Sequence, residues 1–165
     1  MEDSRQDFWK RRGRRPWPTW AVVGLCFAVV ASVASFFFIR VHDASARSAN
    51  EAAAIRTLQT VAAAQRDFRA GHGAFGTFDE LIASGALDKR FSGESPVVYG
   101  YVFRVEIKPR AGASPEAFTL NADPLRDDGA HATGKHHFYV SSSDGEIRHA
   151  AGRPAGPSDL VVPAR

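Results

Sequence analysis

The chain has one cysteine, Cys26, so no disulfide can close within it. Whatever domain it builds is held by apolar packing and hydrogen bonds. From Thr19 to Ile39 there is no charged residue, Asn, Gln or Pro, and from Val41 to Ala70 there is neither Gly nor Pro. Most of the chain also lacks any charge excess. Of 21 basic and 18 acidic side chains, six basic (Arg5, Lys10, Arg11, Arg12, Arg14, Arg15) and three acidic (Glu2, Asp3, Asp7) lie in the first fifteen residues, and the remaining fifteen of each sign balance. A surface for nucleic acid needs clustered cations in the folded part, so nucleic acid is excluded as a partner. There is no CxxC, HExxH or Gly-x-Ser-x-Gly motif. The chain therefore reads as a non-enzyme without a cofactor.

What is present begins with the run from Thr19 to Ile39. About 20 apolar residues in a helix span the roughly 30 Å hydrocarbon core of a bilayer, so the run reads as a transmembrane helix. Basic residues massed before it put the N-terminus in the cytoplasm and the rest outside. Phe8, Trp9, Trp17 and Trp20 suit the headgroup region there. A cleavable signal is the competing reading, with Ala44-Ser45-Ala46 as its cleavage site, but the run is longer than the 7 to 15 residues of a signal core. Leu25 before Cys26 does not suit lipidation.

Without Gly or Pro to stop it, the helix is expected to continue to about Ala70, on the order of 75 Å at 1.5 Å per residue. Between Arg40 and Ser48, His42 and Asp43 leave open whether it runs on straight or loosens. Ile55, Leu58, Val61, Ala62 and Phe68 fall at three- and four-residue steps and form one thin stripe, with Arg56, Gln59, Arg66 and Arg69 around it. Asn50 and Glu51 read as solvated, or as contacts to a neighbouring subunit. Gly71 is the expected stop. Thr77, with Glu80 three residues on, caps a short helix that turns Phe78, Leu81 and Ile82 inward, and Gly85 ends it. The period then changes to two. Val98 to Lys108 predicts one strand with Tyr99, Tyr101, Phe103, Val105 and Ile107 on one side. Ala117 to Ala122 predicts a second, and His136 to Ser141 with Glu146 to His149 a hairpin turning at Asp144-Gly145. Leu160 to Val162 offers an edge segment in an otherwise loose tail rich in proline.

The order predicts an α+β fold: a single N-terminal transmembrane helix continuing into a long amphipathic helix packed on a small antiparallel β-sheet. The divisions are residues 1–18 as a basic cytoplasmic tail, 19–39 as the transmembrane helix, 40–153 as an extracytoplasmic domain and 154–165 as a Pro-rich tail. Among groups that carry chemistry, His131, His136, His137 and His149 lie close in sequence, but neighbours on a strand face opposite ways, so His136 and His137 do not share a metal and surface positions are expected. Asp123, Asp127 and Asp128 offer several oxygen ligands in one stretch, as a calcium ion requires. A solvated loop is the alternative.

NEAAAIRTLQTVAAAQRDFRA (50–70), GAFGTFDELIASGALD (73–88), AFTLNADP (117–124) and HHFYVSSSDGEIR (136–148) together resemble type IV pilins and type II secretion pseudopilins. That resemblance implies a pilin-like domain hung on a half-embedded spine helix. It also implies calcium at Asp123, Asp127 and Asp128, as in some pseudopilins. The Gly-Phe processing site and the acidic residue in the apolar segment are absent: Gly13 is followed by Arg14, and Thr19 to Ile39 carries no Glu. The expectation is an uncleaved, single-pass protein of the inner (cytoplasmic) membrane. It would be a structural or assembly subunit of an envelope secretion or pilus-type apparatus, whose partners are the lipid bilayer and other pilin-like subunits, itself included. The alternative function is a membrane-tethered sensing or partner-binding domain; an enzyme using the His-rich end is a weaker third.

Overall fold

A computed structural model describes residues 18–111, 116–129 and 131–163. The basic tail, with Phe8, Trp9 and Trp17, lies outside the described residues. The chain divides into two compact units, one up to Val41 and one from His42 onward.

Helix α1 runs Thr19–His72. In the first unit it is the one helix, among the described residues, long and apolar enough to cross a membrane by length and composition. Trp20, Leu25, Phe27, Val30 and Phe37 are exposed on it. α1 is helical at His42 and Asp43 and passes through Gly71 before closing with Gly73 N–H donating to the Arg69 carbonyl at 2.8 Å.

In the second unit, α1 buries Ala54, Leu58, Val61, Ala62 and Ala64, with Ile55 and Phe68 partly covered. Gln65 sits among them, also fully buried. Its amide donates to the Gly76 carbonyl at 2.6 Å and accepts from the Gly76 N–H at 3.0 Å. Both polar ends are satisfied, so the buried amide costs little and holds the chain reversal after α1. Position 76 has no room for a side chain, since a Cβ would lie 2.9 Å from the Phe68 ring.

Helix α2 (Phe78–Ala83) starts as expected: the Thr77 hydroxyl accepts from Glu80 N–H and the Glu80 carboxylate accepts from Thr77 N–H at 2.7 Å. The Thr77 N–H and hydroxyl, both donating to the Glu80 carboxylate, hold it below its ordinary range. Phe78 and Leu81 are buried, Ile82 half-buried, and Leu87 folds back under them. A single 3-10 turn at Lys89–Phe91 follows.

Among the described residues six antiparallel strands pair in chain order: β1 (Val97–Val98), β2 (Tyr101–Lys108), β3 (Ala117–Pro124), β4 (His136–Ser141), β5 (Arg148–Ala151) and β6 (Leu160–Val161). The single strand expected from Val98 to Lys108 is broken. Val98 pairs with Tyr101 across Tyr99 and Gly100, whose φ values of 51° and 74° make the doubly left-handed two-residue hairpin turn. Tyr99 therefore points into solvent instead of joining the inner row. The rest of that row holds, with Tyr101 and Phe103 fully buried and Val105 and Ile107 partly so.

The sheet has two faces. Tyr101, Phe103, Phe118, Leu120, Ala122, Phe138 and Val140 form the main core with the buried stripe of α1. On the other face Tyr139, Ala150 and Ala155 form a small second cluster, and the Asn121 amide donates to the Ala155 carbonyl at 3.1 Å. The C-terminal segment is thus tied down through residue 162, where Val162 N–H donates to the Ile147 carbonyl at 2.8 Å. Arg153 and Asp159 pair within it.

Replacing Gln65 by Ala strands two buried backbone groups and should lower unfolding free energy by about 2–4 kcal/mol. Gly76→Ala should cost about 1–3 kcal/mol by overpacking Phe68. Urea titration followed by circular dichroism reads both.

Candidate functional site

The polar chemistry of the second unit gathers where β2, β3 and β4 meet the segment 125–135. Adjacent residues on β4 face opposite ways, so His136 turns toward α1 and His137 toward the other face. Each meets a carboxylate.

On the helix side, Glu51 accepts from Lys135 N–H at 2.8 Å and His136 N–H at 3.4 Å, and its second oxygen lies 3.1 Å from His136 Nδ1. One residue earlier, Asn50 donates to the Thr133 carbonyl at 3.0 Å. Asn50 and Glu51 are therefore not solvated; they fasten α1 to the chain entering β4. The Tyr101 hydroxyl donates to the His136 carbonyl at 3.0 Å beside this clamp. Burial, with the Glu51 and Asp123 charges nearby, pushes its phenol above the ordinary range.

On the opposite face His137 is buried, not at the surface. Its Nδ1 is 2.7 Å from Asp123 Oδ1, and Asp123 Oδ2 accepts from Arg104 at 2.7 Å. Arg104, Asp123 and His137 come from three neighbouring strands and form one chain of charge-assisted bonds. The remaining His137 nitrogen, Nε2, is buried without a hydrogen-bond partner, with Asp127 Oδ2 3.9 Å away. A carboxylate holding the Nδ1 side of an imidazole is how a general base is oriented. Here the free nitrogen is closed off from solvent.

Asp123, Asp127 and Asp128 are separated in role. Both oxygens of Asp123 are engaged, one by the Arg104 cation that an added metal would have to displace, while Asp127 faces His137. Among the described residues no group of three or more His, Cys, Asp or Glu is placed to hold a metal ion. His149 lies against His136, ring centroids 5.2 Å apart, on the helix side. His131 lies in the segment between β3 and β4.

No family model, curated protein or solved structure matches this chain. The functional reading therefore rests on its own residues.

The residues that sequence reasoning missed are Gln65 and His137. Gln65 had a signal, since it continues the spacing of Leu58, Val61 and Ala62 with a polar side chain in an Ala-rich run. His137 had only its place in a strand later covered by the 125–135 segment.

Asp123→Ala should destabilise the protein by about 3 kcal/mol, because it leaves buried His137 without its partner. Arg104→Ala, which removes only the exposed end of the chain and leaves Asp123 bonded to His137, should cost at most about 1 kcal/mol. Equal effects of the two in thermal unfolding would mean that His137 does not depend on Asp123.

Proposed function

We propose that this protein is a membrane-anchored, pilin-like structural or assembly subunit of an envelope secretion or pilus-type apparatus. The carrying observation is the division of labour along α1. Its first part leaves Trp20, Phe27, Val30 and Phe37 uncovered, and its second part is built into an α+β domain through Glu51, Leu58 and Gln65. A helix uncovered over about 20 apolar residues needs lipid or other apolar helices around it. With the basic flank on the cytoplasmic side, the sheet domain stands outside the cytoplasmic membrane. The absence of disulfides is met there by a core that one helix and one sheet face complete. The resemblance to pilins and pseudopilins in the spine and the closing strands supports the same reading, and the missing processing site supports an uncleaved anchor.

The exposed outer side of α1 is the surface for neighbouring subunits, with Gln59 on it. In a Cys26→Ala background, Gln59→Cys crosslinked in intact cells should capture a ladder of the protein itself or other single-anchor subunits. Val30→Arg, which adds about 2.5–3.5 kcal/mol at the centre of a spanning helix, should abolish both membrane retention and capture. Recovery of monomer alone with a retained anchor overturns the assembly reading. Full retention of Val30→Arg after carbonate extraction contradicts the anchor.

A further inference from the structure

We infer that the cleft between the C-terminal turns of α1 and the β4–β5 turn binds a small organic oxyanion, a carboxylate or phosphate carried on a compact body. The cleft holds about 570 Å³, within the range of small-molecule sites, and is more than one inorganic ion would fill. Arg66 and Arg69 form one wall, Ser142 and Ser143 the other, and Phe75 and Phe118 contribute the apolar lining.

Charge sets the ligand class. Arg90, Arg104, Arg148 and Arg153 each hold a carboxylate of this chain. Arg66 and Arg69 hold none among the described residues. The acidic group on the lining, Asp144, is already neutralised: its Oδ2 accepts from Arg148 at 2.6 Å and its Oδ1 from Glu146 N–H at 3.1 Å, which holds its carboxyl below the ordinary range. Two guanidinium groups three residues apart on one helix face are thus left without an anion, and the guanidinium fork matches the paired oxygens of a carboxylate or phosphate.

The walls are held before any ligand arrives. The Arg69 guanidinium lies 4.6 Å above the Phe75 ring, and Phe75 packs edge-on against Phe118 at 4.9 Å. Ser142 N–H donates to the Phe118 carbonyl at 3.0 Å, and its hydroxyl accepts from Phe118 N–H at 3.1 Å, which leaves the hydroxyl proton available to donate. Ser143 and Ser141 hydroxyls pair at 2.6 Å. The negative end of α1 is masked on this side, since the Phe68 carbonyl is met by His72 Nδ1 at 3.0 Å and the Arg69 carbonyl by Gly73 N–H. A site with its donors and floor in place loses little ordering entropy on binding.

The test is calorimetric titration of the full-length chain in detergent micelles with four probes: glucose 6-phosphate, glucuronate, glucose and inorganic phosphate. At least one charged sugar should bind with an affinity that falls as salt rises, while glucose should not bind and phosphate alone should bind more weakly. Which charged sugar binds more tightly assigns the group as phosphate or carboxylate. Arg66→Gln should weaken binding about tenfold or more, and Arg69→Lys, which keeps the charge but loses the fork, should weaken it as well. Unchanged far-ultraviolet circular dichroism keeps misfolding apart from lost binding. No binding of any anion at millimolar concentration, or affinity unchanged in Arg66→Gln, overturns the site. Inorganic phosphate binding as tightly as the sugars overturns the organic body.

Discussion

The buried amide of Gln65 is the contact on which the second unit depends. An amide placed among Leu58, Val61 and Ala64 is tolerable only if its oxygen and its nitrogen both find partners, and Gly76 supplies both from one peptide unit. That choice fixes the direction in which the chain leaves α1. It brings Phe75 against Phe118 and Phe78 against Phe91, and so joins the chain after the helix to the sheet. Four turns earlier Asn50 and Glu51 fasten the same helix to residues 133–136. Between these two polar fixings the stripe supplies only Leu58 and Val61 among its alanines, and the aromatic side chains facing it come from the sheet: Tyr101, Phe103, Phe118 and Phe138.

A sheet covered by a helix on one face leaves the other to be managed. Here the C-terminal segment and the chain between β3 and β4 cover part of it. Ala155 packs on Tyr139 and Ala150, and Asp123 and His137 are closed in beside Asp127. The Arg104–Asp123–His137 chain follows from that cover. It lets one histidine be buried on a face that would otherwise be wet. With no disulfide available, such satisfied polar bonds and the single core are the means by which the unit holds its shape.

Much of the architecture was legible because local and global signals agreed. The switch from period 3.6 to period 2 located helix and sheet, the Thr77–Glu80 pair located the start of α2, and the short apolar run at Leu160 located the edge strand. The turn at Tyr99-Gly100 stayed hidden because Tyr99 continues the row of large apolar side chains: Val98 and Tyr101, three positions apart, read as opposite faces of one strand although they pair across two. Asn50, Glu51 and His137 were misread for a common reason. Each takes its partner from residues 14 to 85 positions away, and no local pattern announces a bond made by tertiary folding. Arg66 and Arg69 were legible only as positions around the stripe, since the serines and phenylalanines opposite them come from other parts of the chain.

The measurement that tests the central claim most directly is amide hydrogen exchange on the full-length protein in detergent. If the fixings at residues 50–51 and 65 make the second part of α1 one cooperative unit with the sheet, amides from Ala54 to Phe68 exchange no faster than those of Leu120 and Val140. A helix segment that exchanges orders of magnitude faster than the sheet, while the sheet stays protected, would contradict it.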